Sequence, residues 1–279
     1  PPFFRPKTWT IDRVLAGDAI SLSDRKIELD AAYLAGLDEA ERGEITLRLS
    51  ARGEPLSEEH IEVRLLARDE WGGVDDMAQL LPAFVMPNDP AVGRILKVAA
   101  DQLARHGRSS ALDGYQSGDP NRSFVLVAAI YSAIAGLRLH YAQPPASFEH
   151  RGQKIRRPTT VETERLATCL DTSLLFAAAI EASGLHPVVL LFRDHAAVGA
   201  WLTPRTLSRA IEPDAMEVRK ALASRELVLF ETTGVTHRPP MMIQAAQRAL
   251  AQRLDEEQEG QFVAAIDVQR ARSGGITPL

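Results

Sequence analysis

The one cysteine of the chain, Cys169, opens an apolar stretch, Cys169-Leu170-Asp171-Thr172-Ser173-Leu174-Leu175-Phe176-Ala177-Ala178-Ala179-Ile180, with no Gly or Pro before Gly184. The stretch reads as a helix with Asp171 in its first turn and Gly184 at its C-cap. A thiol at that end faces unpaired backbone N–H groups and the positive end of the helix dipole, which favour thiolate over thiol. A lone cysteine is most often a small buried hydrophobe, yet that role fits any position on an apolar face, whereas a reactive thiol gains most at the helix start. Downstream, His195 follows the apolar run Val188-Val189-Leu190-Leu191-Phe192 and begins another that ends at Trp201. Glu231 closes a third run, Leu227-Val228-Leu229-Phe230. Taken singly, each is ordinarily a satisfied surface residue. Together, in the order Cys, His, acid, they form a nucleophile, a base that takes its proton and a carboxylate that fixes the tautomer of the base.

A helix start followed by two neighbouring strands can bring three such distant side chains together, and a core of that arrangement is expected. Two further helices precede it. One covers residues 91–103 after Pro90, with Val92, Ile95, Leu96, Val98 and Ala99 on one face, and Asp119-Pro120 opens the other, with Val125, Leu126, Ala129, Ile130 and Ile134. A helical stretch over residues 239–254 ends in the acidic Asp255-Glu256-Glu257. The first 70 residues differ. Residues 19–23, 26–29, 44–49 and 61–65 alternate apolar and polar at period two between Gly, Asp and Pro breaks, a pattern expected for a small β-sandwich. The expected organisation is therefore a β-sandwich-like domain over 1–72, a helical segment of the core over 73–140, and the core itself with C-terminal helices and a linker over 141–279.

At residues 141–233 this pattern resembles the transglutaminase-like cysteine protease core, also papain-like, with Cys169, His195 and Glu231 at its three catalytic positions, and the resemblance implies an α+β fold with a helix packed on an antiparallel sheet. Glu stands where many such enzymes have Asp, and either carboxylate can orient an imidazole. The segments Glu70-Trp71-Gly72-Gly73, Phe84-Val85-Met86-Pro87-Asn88-Asp89-Pro90, Gly114-Tyr115-Gln116-Ser117-Gly118-Asp119-Pro120 and Pro144-Pro145-Ala146-Ser147-Phe148-Glu149 resemble the N-terminal region of large bacterial helicase-nuclease proteins of phage defence. The resemblance implies a cysteine hydrolase of peptide or glutamine side-chain amides, needing no cofactor and covalently attached to helicase-nuclease domains.

The remaining residues set limits on that reading. Gln153 is a candidate oxyanion donor, as a Gln is in many cysteine proteases, with an exposed loop as its ordinary alternative. Arg151, Lys154, Arg156 and Arg157 form a basic run that would suit an acidic peptide or a phosphate backbone if it were not simply solvated. His140, His186 and His237 lack metal-ligand spacing, so no metal site is expected. With 45% hydrophobic residues, a net charge of -5 and a pI near 5.9, the chain reads as an ordinary globular protein with no general attraction to nucleic acid and no membrane segment. One cysteine excludes an internal disulfide and suits a reducing cytoplasm. Pro1-Pro2-Phe3-Phe4-Arg5-Pro6 lacks an initiating Met and the apolar core of a signal peptide, and residues 271–279 read as a linker, so an excised piece of a longer protein is expected. Thioester hydrolysis is the expected outcome rather than crosslinking. The alternatives are a non-catalytic interaction module of the same fold and a nucleic-acid-sensing domain serving the helicase.

Overall fold

Arg52 and Gly53 both take positive φ, +54° and +86°, which a two-residue hairpin turn requires, and they join two long antiparallel strands, Glu41–Ala51 and Glu54–Leu65. The structure is a computed structural model that describes residues 2–22, 26–255 and 260–279. Backbone contacts divide the chain into two units, Pro1–Glu70 and Trp71–Leu279. The hairpin is the only sheet of the first unit among its described residues, so the small β-sandwich expected from the alternation does not form there. Residues 44–49 and 61–65 lie in the hairpin, whereas 26–29 supplies one bridge, Leu29 to Phe4, and 19–22 forms no strand; Ser23 lies outside the described residues. Alternation marks a face that can be buried, but a sandwich needs a second sheet to bury it against. Here Ile27, Leu29, Leu47 and Leu49 stay exposed.

The second unit is mixed α+β and is built around the helix Cys169–Ala182, in which every residue from Cys169 to Ile180 is buried. Helices Pro90–Arg105 and Pro120–Ala135 pack against it. Each starts on an Asp cap followed by Pro: Asp89 accepts the Ala91 N–H and Asp119 the Asn121 N–H, both at 2.9 Å, the combination that meets free N–H groups and presets the first helical φ. On its other side the core helix covers a five-stranded antiparallel sheet in the order Leu227–Phe230, His195–Trp201, Pro187–Phe192, Phe262–Asp267, Ile211–Glu212. Phe176 of the core helix, Tyr131 of the helix Pro120–Ala135 and Phe230 of the sheet interlock with ring centroids 5.1–5.6 Å apart. Such pairs contribute about 0.5–1.5 kcal/mol each beyond their burial. The opposite face of the sheet buries Leu190, Phe192, Trp201 and Leu229 against Val218 and Leu250, from helices Ala215–Ala223 and Ile243–Arg253. The helix expected over 239–254 is thus Ile243–Arg253; Glu256 and Glu257 of its acidic end lie outside the described residues. Among the described residues no helix is long and apolar enough to cross a membrane.

The Trp71-Gly72-Gly73 segment meets the loop that carries Gln153 so closely that side chains are excluded. A Cβ on Gly73 would lie 1.9 Å from the His150 carbonyl oxygen, and one on Gly152 would lie 1.7 Å from the Trp71 carbonyl oxygen, both at positive φ. Trp71 is fully buried, its indole N–H donating to the Met77 carbonyl at 2.9 Å. Gly152→Ala is expected to destabilise the second unit by roughly 3 kcal/mol or more. Gly93→Ala, where a Cβ meets nothing within 4 Å, should instead stabilise by about 0.5–1 kcal/mol; urea denaturation of the two variants measures both.

Candidate active site

The first N–H groups of a helix have no partners within it, and a buried helix has no water to supply them. At the start of the core helix Thr168 and Asp171 form a reciprocal pair: the Thr168 hydroxyl oxygen accepts the Asp171 N–H at 3.1 Å, and Asp171 Oδ2 accepts the Thr168 N–H at 2.9 Å. Asp171 also accepts the Arg156 N–H at 2.8 Å and Arg156 Nη1 at 3.0 Å. This occupies one cation of the basic run. The cap puts Cys169 at the first helical position with its side chain fully buried.

His195 opens its strand opposite Phe192, after a tight turn in which Asp194 has φ +55° and accepts the Ser147 N–H at 2.8 Å. Glu231 lies one residue past the neighbouring strand, whose last residue Phe230 pairs with Val198; one further step of that register sets Glu231 opposite Ala197, two residues from His195. The result is a contact of 2.7 Å between His195 Nε2 and Glu231 Oε2, with both residues less than 9% exposed. The other carboxylate oxygen accepts from the Thr233 N–H at 2.9 Å and its hydroxyl at 2.8 Å, and the Glu231 N–H donates to the Ala246 carbonyl at 3.1 Å. Burial pushes the Glu231 carboxyl up, but the His195 and Thr233 hydrogen bonds and the His195 charge outweigh it and hold the group below its ordinary value.

Cys169 reaches the same place from the helix side. Because the partner strand stops at Phe230, its ladder does not extend to Ala196, and the Ala196 N–H donates to Cys169 Sγ instead. The Leu170 N–H and the Tyr141 hydroxyl donate to the same sulfur. Burial nevertheless pushes the thiol from 9.0 up to about 11, the Glu231 charge adding to the effect against these three donors. Cys169 is therefore a neutral thiol at pH 7, and the expectation of a thiolate at rest is corrected: the helix start is as expected, but desolvation outweighs it. Tyr141, pushed up to about 12 mainly by burial, stays protonated and able to donate.

A hydroxyl bridge ties the two halves together. Thr172 and Ser173 give their hydroxyl protons to the Cys169 carbonyl at 2.9 and 2.8 Å, and Thr232 Oγ1 lies 3.1 Å from each of their oxygens. The Thr232 hydroxyl thus links the residue beside Glu231 to the first turn of the core helix. Gln153 is buried next to Thr168: Nε2 lies 3.0 Å from Thr168 Oγ1, while Oε1 has no hydrogen-bond partner. Thr168 Oγ1 already accepts from Asp171, so its own proton needs an acceptor. Exchanging the Gln153 amide oxygen and nitrogen provides one and leaves Nε2–H as the free group, a donor awaiting an acceptor.

The structure thus brings His195 and Glu231 into contact, places Cys169 against the amide next to His195, and sets Gln153 on the residue preceding Cys169. Tyr141, Thr232 and Thr233 were not singled out in the sequence. Tyr141 belongs to a two-residue strand, His140–Tyr141, paired in parallel with Leu166–Ala167, too short for a periodic signal. Among the described residues no group of three or more His, Cys, Asp or Glu could hold a metal ion. Comparison with models of protein families, with curated proteins and with solved structures found no match.

Two measurements test the electrostatics and the closure. The thiol is raised in the folded chain, so its contribution to stability is complete below its ordinary value and is lost as the pH climbs through about 11. Between pH 9 and 11 the wild type should lose ~2 kcal/mol more stability than Cys169→Ala, as read by denaturant melts at each pH. Iodoacetamide should label Cys169 slowly at pH 7, Tyr141→Ala should speed labelling at least tenfold by opening access, and Tyr141→Phe should not.

Proposed function

We propose that the unit Trp71–Leu279 is a transglutaminase-like cysteine hydrolase of peptide or glutamine side-chain amides, with Cys169 as nucleophile, His195 as base and Glu231 as the group that orients the base. The observation that carries this reading is the 2.7 Å contact of His195 Nε2 with Glu231 Oε2, made at the strand end whose next amide, that of Ala196, donates to the Cys169 sulfur. The contact holds the proton of a neutral imidazole on Nε2 and leaves Nδ1 as the acceptor for the thiol proton.

In this mechanism His195 takes the thiol proton as the sulfur attacks the amide carbonyl carbon, and the C–N bond then breaks as His195 returns the proton to the leaving amine. The Cys169 N–H, unpaired at the helix start, and the Gln153 side-chain amide supply two donors for the oxyanion; each such donor is worth about 3 kcal/mol of transition-state stabilisation. Water resolves the thioester, releasing the acid and restoring the thiol. The motifs between Glu70 and Glu149 support an effector or regulatory role within a larger bacterial defence protein whose helicase-nuclease portion is attached.

The full burial of Cys169 and its thiol value of about 11 favour a second reading, in which the three residues persist as a hydrogen-bonded core of an interaction module. Turnover separates the two. With peptide and glutamine-containing substrates, Cys169→Ala should abolish hydrolysis, and Glu231→Gln should be about two orders of magnitude milder than His195→Ala, because it orients the base without carrying the proton. Hydrolysis that persists unchanged in Cys169→Ala would overturn the assignment, and absence of turnover in the wild type with every substrate would favour the module.

A further inference from the structure

Arg253, the last residue of the helix Ile243–Arg253, stands against Glu231 with its side chain partly exposed. Its Nε lies 3.9 Å from Glu231 Oε2, an ion-pair distance too long for a hydrogen bond. Glu231 does not depend on it, since both carboxylate oxygens are already engaged by His195 and Thr233. Among the described residues no group accepts a hydrogen bond from the Arg253 guanidinium, and its side chain is 47% exposed. Its charge is felt at Tyr141, whose hydroxyl rests on the Cys169 sulfur. A ligand held by Arg253 is therefore held beside the Glu231–His195 pair.

From this placement, and resting on the reading of the site as a cysteine hydrolase, we propose that Arg253 selects the substrate: an amide with a carboxylate side chain, Asp or Glu, adjacent to the bond that is cleaved. A guanidinium presents five N–H donors in a planar fork that matches a carboxylate edge-on. The choice of sign also follows from the chemistry of the site. Attack by Cys169 generates a positive imidazolium at His195, and an uncompensated cation against the same Glu231 carboxylate opposes it. A substrate carboxylate on Arg253 removes that opposition at the moment of attack. A neutral substrate leaves it in place, and a basic one adds to it.

The test uses the whole chain and three matched peptidyl chloromethyl ketones with Asp, Asn or Lys as the residue whose carbonyl forms the reactive ketone. The Cys169 sulfur forms a bond to the methylene carbon as the C–Cl bond breaks, and the adduct is timed by intact-mass spectrometry with Cys169→Ala as the blank. The Asp probe should react at least tenfold faster than the other two, Arg253→Gln should bring all three within about twofold, and Arg253→Glu should make the Lys probe the fastest. Circular dichroism checks that these exposed-site variants stay folded. Equal rates for the three probes in the wild type, or a preference for Asp that survives in Arg253→Gln, would overturn the role of Arg253 while leaving the hydrolase reading intact. Failure of every probe to modify Cys169 would overturn both.

Discussion

A helix buried on all sides must satisfy its opening N–H groups from within the protein, and around the core helix Cys169–Ala182 much of the local structure answers to that requirement. Thr168 and Asp171 exchange hydrogen bonds, Asp171 fixes the backbone and side chain of Arg156, and Gln153 is drawn onto the Thr168 hydroxyl. The glycine contact at Trp71, Gly73 and Gly152 then holds the Gln153 loop from behind. The same cap that satisfies the helix leaves the Leu170 N–H turned to the sulfur of Cys169. Stability and chemistry share one set of atoms at this end of the helix.

Magnitudes decide the resting state of that sulfur. A helix terminus stabilises a nearby anion by about 0.3–1 kcal/mol, up to ~2 in partly buried settings. A rise from 9.0 to about 11 corresponds to about 3 kcal/mol in the opposite direction. Burial wins even against three hydrogen-bond donors, and in the proposed mechanism the imidazole takes its proton from a neutral thiol.

The elements that define the core were legible as runs of residues. Strands Pro187–Phe192, His195–Trp201 and Leu227–Phe230 follow from unbroken apolar stretches, and the two Asp-Pro starts from capping chemistry. Cys169, His195 and Glu231 stood out because each lies at the edge of such a run. What escaped the sequence depends on partners distant in the chain: Tyr141 reaches Cys169 through a two-residue parallel pairing, and Thr232 bridges to Thr172 and Ser173, some 60 residues away. The thiolate expectation failed for a related reason, since burial is a property of the assembled core. Alternation in the first unit identified strand-forming stretches but not what they pair with, and a long hairpin resulted in place of a sandwich.

The neutral, enclosed state of Cys169 has a further consequence, in redox chemistry. Peroxide and related oxidants attack thiolates that solvent can reach, and carry them from sulfenic to sulfinic and sulfonic acid, the later steps being irreversible. Cys169 is fully buried and protonated. The chain thus keeps its single thiol out of reach of ambient oxidants, and irreversible oxidative damage to Cys169 requires that it first be uncovered.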